Sequence, residues 1–244
     1  MKIVNPWNGA SIADVATDDA RAVAAKYRLA RTAQPRWAAV PIRKRIETIA
    51  RFRERIVALE ETLARTLTRE VGKPIRQSRN ELKGLLGRLD FFLTESTRAL
   101  RDEKVLVDHA GKLEERISHE PLGVVANISA WNYPYFVGSN VFVPALVAGN
   151  AVLYKPSEYA TLTGLHIAEL LHESGVPDDV FVPVIGGGET GAALLRQCVD
   201  GVFFTGSYAT GAKIAAIAGR RMTKVQIELG GKDPVYVCED VDVK

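Results

Sequence analysis

Residues 121–154 read PLGVVANISAWNYPYFVGSNVFVPALVAGNAVLY, 34 residues without a single charge. A run this long exceeds the roughly 20 apolar residues that a membrane-spanning helix needs. Pro134 and Pro144 interrupt it, however, together with Gly123, Asn132, Ser139 and Asn150. Two β-branched runs, Gly123 to Ile128 and Ala151 to Tyr154, flank a stretch of helical character at 135–148. Strands that carry no polar alternation belong to sheets covered on both faces. The segment is therefore read as strand, turn, helix, turn, strand, buried inside one protein.

Moving toward the C-terminus, the same alternation continues. Short runs at Val180 to Ile185, Gly201 to Phe204 and Val225 to Leu229 are separated by helical stretches at about 161–174, 190–197 and 210–219. Strand alternating with helix implies right-handed crossovers and a parallel sheet. Toward the N-terminus the period is helical instead. Ile42, Ile46, Ile49, Ile56, Leu59, Leu63 and Leu67 form one stripe, with Pro41 suited to the first turn. A second helix is expected from about Ile75 to Leu100 and a shorter one before Trp37, and alternation from Lys104 to His119 around Ala110-Gly111 suggests a β-hairpin. The expected fold is α/β: a Rossmann-like parallel sheet with helices on both faces, preceded by an N-terminal helical region.

Composition narrows the function. The 244 residues are 47% hydrophobic and 25% charged, as in ordinary globular proteins, with a net charge of +3. Basic residues are interspersed with acidic ones and form no arginine stripe among aromatics, which argues against a nucleic-acid partner. Cys198 and Cys238, forty residues apart, have neither metal-ligand nor disulfide-framework spacing. They are read as reduced packing thiols of a cytoplasmic protein that holds no metal. Residues 1–6 contain no apolar core of a signal peptide, and no membrane partner is expected.

Ligands of parallel sheets sit beyond the carboxyl ends of the strands, so chemistry is sought there. Gly186-Gly187-Gly188-Glu189-Thr190-Gly191 satisfies Gly-x-Gly-x-x-Gly before a helix, though no acid follows about twenty residues on to hold a ribose, and a tight structural turn serves equally. Thr205-Gly206-Ser207-Tyr208-Ala209-Thr210-Gly211 is a second glycine loop before a helix, where Ser207 could donate to a phosphate. Lys155-Pro156-Ser157-Glu158 holds a cation and an anion three residues apart, which suits a diol. The alternative is a capping turn with Ser157 as cap and Lys155 in solvent. Asn132, after Ala130-Trp131, could stabilise an oxyanion or merely satisfy turn backbone. Glu228, before Leu229-Gly230-Gly231, could act as a general base or stand solvated at a strand end.

Four of these segments in this order, Trp131-Asn132-Tyr133-Pro134, Lys155-Pro156-Ser157-Glu158, Phe204-Thr205-Gly206-Ser207 and Glu228-Leu229-Gly230-Gly231-Lys232, resemble the N-terminal half of the NAD(P)-dependent aldehyde dehydrogenases. The resemblance extends over the chain, through Glu70-Val71-Gly72-Lys73-Pro74 and Pro144 to Asn150. It implies oxidation of an aldehyde to an acid, with a cysteine thiolate as nucleophile, NAD or NADP as hydride acceptor and water as deacylating agent. It assigns Asn132 to the oxyanion and Glu228 to the general base. Ala130, Trp131, Asn132, Lys155, Ser157, Glu158, Gly187, Gly191, Gly206, Ser207, Gly211 and Leu229 become cofactor-binding residues. Within that set Lys155 and Glu158 hold the adenosine ribose, Ser207 the pyrophosphate, and the first glycine loop the adenine side. A carboxylate at Glu158 favours NAD over NADP by repelling a 2′-phosphate.

The resemblance further divides the chain into a cofactor domain at 1–103 and 122–230, an oligomerisation hairpin at 104–121 and the start of a catalytic domain at 231–244. It places the nucleophilic cysteine downstream of Lys244, so the chain is expected to be a cofactor-binding half that forms a homo-oligomer or associates with a catalytic half. A non-catalytic dinucleotide-binding or subunit-interaction fragment is the alternative. Val141 stands where many relatives carry a lysine, and Tyr208 replaces a smaller loop residue. Apolar surface is expected near a strand Val235-Tyr236-Val237 and along Val225–Leu229.

Overall fold

The computed structural model describes residues 1–107 and 113–242. After the first 19 residues come three helices: α1 (Ala20–Ala38), α2 (Ile42–Val71) and α3 (Ile75–Ala99). Prolines at 41 and 74 immediately precede α2 and α3, where a missing N–H costs nothing. Gly72 ends α2 with φ +80°. Any side chain there would be strained, which is why the chain can reverse so sharply between the two longest helices.

The second half is the alternation expected from the charge-free run. β5 (Val124–Ile128), β6 (Ala151–Lys155), β7 (Phe181–Pro183), β8 (Gly201–Gly206) and β9 (Lys224–Leu229) form one parallel sheet in the order β7-β6-β5-β8-β9. β5 and β6 are buried throughout, which accounts for their lack of polar alternation. Between the strands lie α4 (Pro134–Val147), α5 (Thr161–Glu173), α6 (Gly188–Leu195) and α7 (Tyr208–Arg220). Phe142 of α4 packs edge-on against Tyr154 of β6 and Phe181 of β7, at centroid separations of 5.6 and 5.3 Å.

Buried polar side chains weld the helical half to the sheet. Arg45 of α2, 8% exposed, donates to the Val147 carbonyl at the end of α4 at 2.8 Å, to Ala38 at 2.8 Å and also to Val40. One guanidinium thus gathers the carbonyl ends of α1 and α4, where a cation also meets the helix dipoles. Glu70 of α2 accepts from the Leu162 amide at 2.6 Å and from the Thr163 amide and hydroxyl at 2.9 Å. Glu81 of α3 accepts from the Tyr135 and Phe136 amides at 2.8 and 3.3 Å. Neither α4 nor α5 has a side-chain cap from its own N-cap residue. Their first amides are satisfied from the helical layer.

Three elements differ from the sequence reading. An N-terminal hairpin, β1 (Lys2–Val4) with β2 (Ser11–Asp14), was not expected, because strands of three and four residues leave too short a pattern. The helix placed before Trp37 runs through it, containing Pro35, and the Trp37 indole donates to Leu146 O at 2.9 Å. Val235-Tyr236-Val237 is not a strand; it is extended chain exposed at 86, 88 and 63%. Apolar side chains there are uncovered, as expected, without any ladder pairing to order them. The hairpin at 104–119 is present as β3 (Glu103–Val107) paired with β4 (Glu114–Ile117), while its turn at Ala110-Gly111 lies outside the described residues. No described helix is long and apolar enough to cross a membrane.

Candidate functional site

From β5 the chain runs outward to β6 and β7, then crosses back to β8 and β9 on the other side. The strand ends on either side of such a reversal leave a crevice. A cavity of about 670 Å³ opens there, a size typical of small-molecule and cofactor sites.

Ala130, Trp131 and Asn132 border it after β5, and Lys155, Ser157 and Glu158 after β6. Gly191, Gly206, Ser207 and Leu229 border it from the α6, α7 and β9 side. The structure therefore brings together ten of the positions singled out in the sequence. Gly187 and Gly211 are not in the wall, and Gly188 borders the cavity beside the former. A Cβ on Gly211 would stand 2.5 Å from Leu229 Cδ2 and 3.1 Å from Ile227 Cγ2, so this glycine lets α7 approach β9. The turn reading of the first glycine loop also has a basis: Gly186 has φ +150°, and a Cβ there would lie 2.1 Å from Thr190 Oγ1. Glu228 is exposed on the edge strand β9, opposite Thr205 of β8, and is not part of the wall.

Lys155 is the most informative side chain. It is 5% exposed, and its ammonium has one acceptor among the described residues, the Pro156 carbonyl at 3.4 Å. Ammonium groups carry three donors and are costly to bury without partners. Desolvation accordingly lowers Lys155 below the ordinary lysine value, with the Glu158 carboxylate opposing the shift. The reading that placed Lys155 in solvent is overturned, although Ser157 does act as a cap, accepting from the Tyr159 amide at 3.3 Å. An under-accepted ammonium beside a half-buried carboxylate fits a vicinal diol, whose hydroxyls accept from one and donate to the other.

Gly164 of α5 holds this loop in place. A Cβ on it would come within 2.5 Å of Pro156 Cβ and Cγ, part of a rigid ring. Gly→Ala in a helix ordinarily gains about 1 kcal/mol. Here Gly164→Ala is expected instead to cost about 1–3 kcal/mol through overpacking. An unchanged or raised midpoint in urea unfolding would show that the Pro156 contact yields freely.

Across the cavity, Ser207 caps α7. Its hydroxyl accepts from the Thr210 amide at 3.4 Å and donates to Thr210 Oγ1 at 3.1 Å. The first turn of α7 contains no acidic residue, and Lys213 of its second turn borders the cavity. Such a helix start accepts a phosphate. Tyr208 is 75% exposed and not in the wall. Asn132 is held by its own turn: Oδ1 accepts from the Tyr133 amide at 3.1 Å. That bond leaves its NH2 as the group able to donate to an oxyanion. The residues present fit a dinucleotide, with a diol at Lys155–Glu158 and phosphate at the α7 start.

The sequence reading missed Thr210, Lys213, Ile214 and Ile217 of α7, which also border the cavity. Their spacing of three and four residues was a usable signal for one face of α7, the one that borders the cavity. It also missed that Trp131 meets Tyr159 edge-on at 6.4 Å, and that this pair borders a second cavity of about 490 Å³ against the N-terminal hairpin. Both cysteines are exposed rather than packed, and neither borders the main cavity.

With the geometry in place, comparison with known proteins is direct. The sequence profile of the aldehyde dehydrogenase family matches residues 1–244. The chain is 36% identical over 224 residues to an N-succinylglutamate 5-semialdehyde dehydrogenase of Sphingopyxis alaskensis, covering 91% of this chain and 46% of that protein. A protein of the same name from Caulobacter vibrioides, numbered 1, is 36% identical over 243 residues, with coverage of 98% and 51%. Among solved structures, PnpE in complex with nicotinamide adenine dinucleotide superposes with a TM-score of 0.89 at 33% identity, covering 95% of this chain and 48% of that one. The aldehyde dehydrogenase KauB of Pseudomonas aeruginosa gives the same TM-score and identity, with coverage of 95% and 47%. The chain thus spans about half the length of the curated relatives it matches.

Proposed function

This chain belongs to the aldehyde dehydrogenase family, and on that premise we propose that it holds NAD or NADP for an enzyme that oxidises an aldehyde to a carboxylic acid. The observation that carries the reading is the buried, under-accepted Lys155 ammonium beside Glu158 at the mouth of a dinucleotide-sized cavity. When bound, the nicotinamide supplies the hydride acceptor; aldehyde and water then yield acid, reduced cofactor and a proton.

The chain's own residues do the rest of the positioning. Lys155 and Glu158 grip the ribose hydroxyls, and Ser207 with the first amides of α7 binds the pyrophosphate. Trp131 flanks the groove. Asn132 donates its side-chain NH2 to the aldehyde oxygen as negative charge develops on it. Glu228, on the adjoining strand end, takes a proton from the attacking water. Residues 1–103 and 122–230 serve as the cofactor domain, 104–121 as an arm for subunit association, and 231–244 belong to the catalytic domain. Exposed Val105, Leu106, Val107 and Ile117 on the arm support an associating role. The named relatives act on a semialdehyde, so an aldehyde bearing a carboxylate is the first to assay.

Cofactor choice tests the ribose assignment. Glu158 should accept from a free 2′-hydroxyl and repel a 2′-phosphate. Glu158→Gln is expected to weaken NAD binding and to raise the affinity for NADP relative to NAD, measured by titration of the purified chain. An unchanged ratio of the two dissociation constants would remove Glu158 from the ribose site.

A further inference from the structure

Lys73 and Glu81 form an ion pair at 2.5 Å whose side chains are 8% and 0% exposed. Burial pushes the Glu81 carboxyl up, against the opposing hydrogen bond and charge of Lys73. Burying two charges is expensive, and an apolar pair of similar volume often serves stability as well. The pair does more than fill space. The Lys73 ammonium lies 3.7 Å from the centroid of the Tyr133 ring. Glu81 Oε1 accepts from the Tyr135 and Phe136 amides while Oε2 takes the lysine. Tyr133 and Tyr135 bracket Pro134, directly after Trp131 and Asn132. Trp131, Asn132 and Tyr133 are themselves exposed, at 50% for Trp131 and 46% for Tyr133. The segment also has the Asn132–Tyr133 bond within the turn, the first helical bond from Val137 N to Tyr133 O and the ring contact of Trp131 with Tyr159, and to these Lys73 and Glu81 add polar contacts from outside it where it enters α4.

We propose that Lys73 and Glu81 are positioning residues for the Trp131–Tyr133 segment: the buried pair, seated on α2–α3, sets where Asn132 and Trp131 stand at the cavity. The proposal deepens the functional reading and rests on it only for the meaning of that position, since the placement itself can be measured without turnover. The chemistry suits the task. A cation over an aromatic face fixes the ring without consuming a backbone donor, and a carboxylate at a helix start satisfies two otherwise orphaned amides. A misplacement of about 1 Å at a reacting group can cost around a hundredfold in rate, so a rigid two-point clamp has a use beyond stability.

The test uses the full chain labelled with fluorotryptophan, whose three indoles, Trp7, Trp37 and Trp131, report separately by fluorine NMR, with Trp131→Phe for assignment only. Lys73→Met is expected to shift or broaden the Trp131 resonance, to leave that of buried Trp37 in place, and to weaken NAD binding about tenfold. Lys73→Arg, which keeps a cation for both ring and carboxylate, should restore most of each. Glu81→Gln, isosteric and distant in sequence from Trp131, should move the same resonance and decides the matter if Lys73→Met does not fold. A Trp131 resonance unmoved in folded Lys73→Met or Glu81→Gln overturns the proposal, as does a Trp37 resonance that moves equally, since that marks general loosening. Movement of Trp131 alone in a chain that binds no NAD would uphold the clamp while removing the cofactor reading.

Discussion

Replacing Glu70 with alanine is expected to lower the unfolding free energy by about 3–5 kcal/mol. The carboxylate is 4% exposed and accepts three hydrogen bonds, from Leu162 N, Thr163 N and Thr163 Oγ1. Alanine leaves the two buried Thr163 donors and the part-buried Leu162 amide without that partner, and a buried donor left so costs about 1–3 kcal/mol before the neighbours relax. Ala160, the residue at the cap position of α5, has no side chain able to replace it. Glu70→Gln should be milder, because an amide oxygen still accepts. Burial raises the Glu70 carboxyl above its ordinary value of 4.5, with the Thr163 and Leu162 bonds opposing. A carboxyl raised in the folded state holds its proton more tightly there than when unfolded. Its contribution is therefore greatest below the unfolded value and declines as the pH rises through the raised folded one. The advantage of the parent chain over Glu70→Gln is expected to shrink across that interval in urea unfolding at a series of pH values. A constant advantage would mean that Glu70 ionises at its unfolded value.

The sheet was legible because β5 and β6 are buried on both faces, so no charge occurs in them before Lys155, the last residue of β6. The strand ends were legible because lysine, serine, glutamate and glycine stand directly after apolar runs. Glu70, Glu81 and Arg45 were not legible as structural groups, since a charged residue on an amphipathic helix is normally on the wet face. Each is buried because it serves helix ends supplied by chain 54–102 residues further on. Lys155 was readable as a residue at the strand end, bordering the cavity, but not as a buried one: nothing in Lys155-Pro156-Ser157-Glu158 reveals that α6, through Gly191, closes over its stem. The role of Gly211 was misjudged in kind. It stands in the glycine loop, yet the atoms that exclude a Cβ there are those of Leu229 and Ile227 on β9, so it serves the packing of α7 on the sheet.

Lys155→Met is expected to act in opposite directions on stability and on binding. The buried ammonium has a weak carbonyl contact and the partial support of Glu158. Its proton is held less tightly in the folded chain than in the unfolded one, so the protonated group detracts from stability at neutral pH. That penalty fades as the pH rises through the lowered value. Methionine has a similar length, no charge and the flexibility to fill the same channel. The variant should therefore unfold at an equal or higher midpoint at neutral pH. NAD affinity should fall about ten- to a hundredfold, the equivalent of a charge-assisted hydrogen bond lost to each hydroxyl it served. Affinity in the parent chain should likewise weaken as the pH passes through the lowered Lys155 value, before the ordinary lysine range is reached. A site strained in this sense, less stable alone than its apolar replacement, is what a residue kept for a ligand looks like. A destabilised Lys155→Met that binds NAD normally would make Lys155 structural.

The most direct measurement is calorimetric titration of the purified 244-residue chain with NAD, its folding verified beforehand by a cooperative unfolding transition. Saturable binding at one site per chain, lost or strongly weakened in Lys155→Met, is the expected result. A folded chain that releases no heat with NAD or NADP and gives no saturation by any second probe would contradict the assignment of the cavity to a dinucleotide.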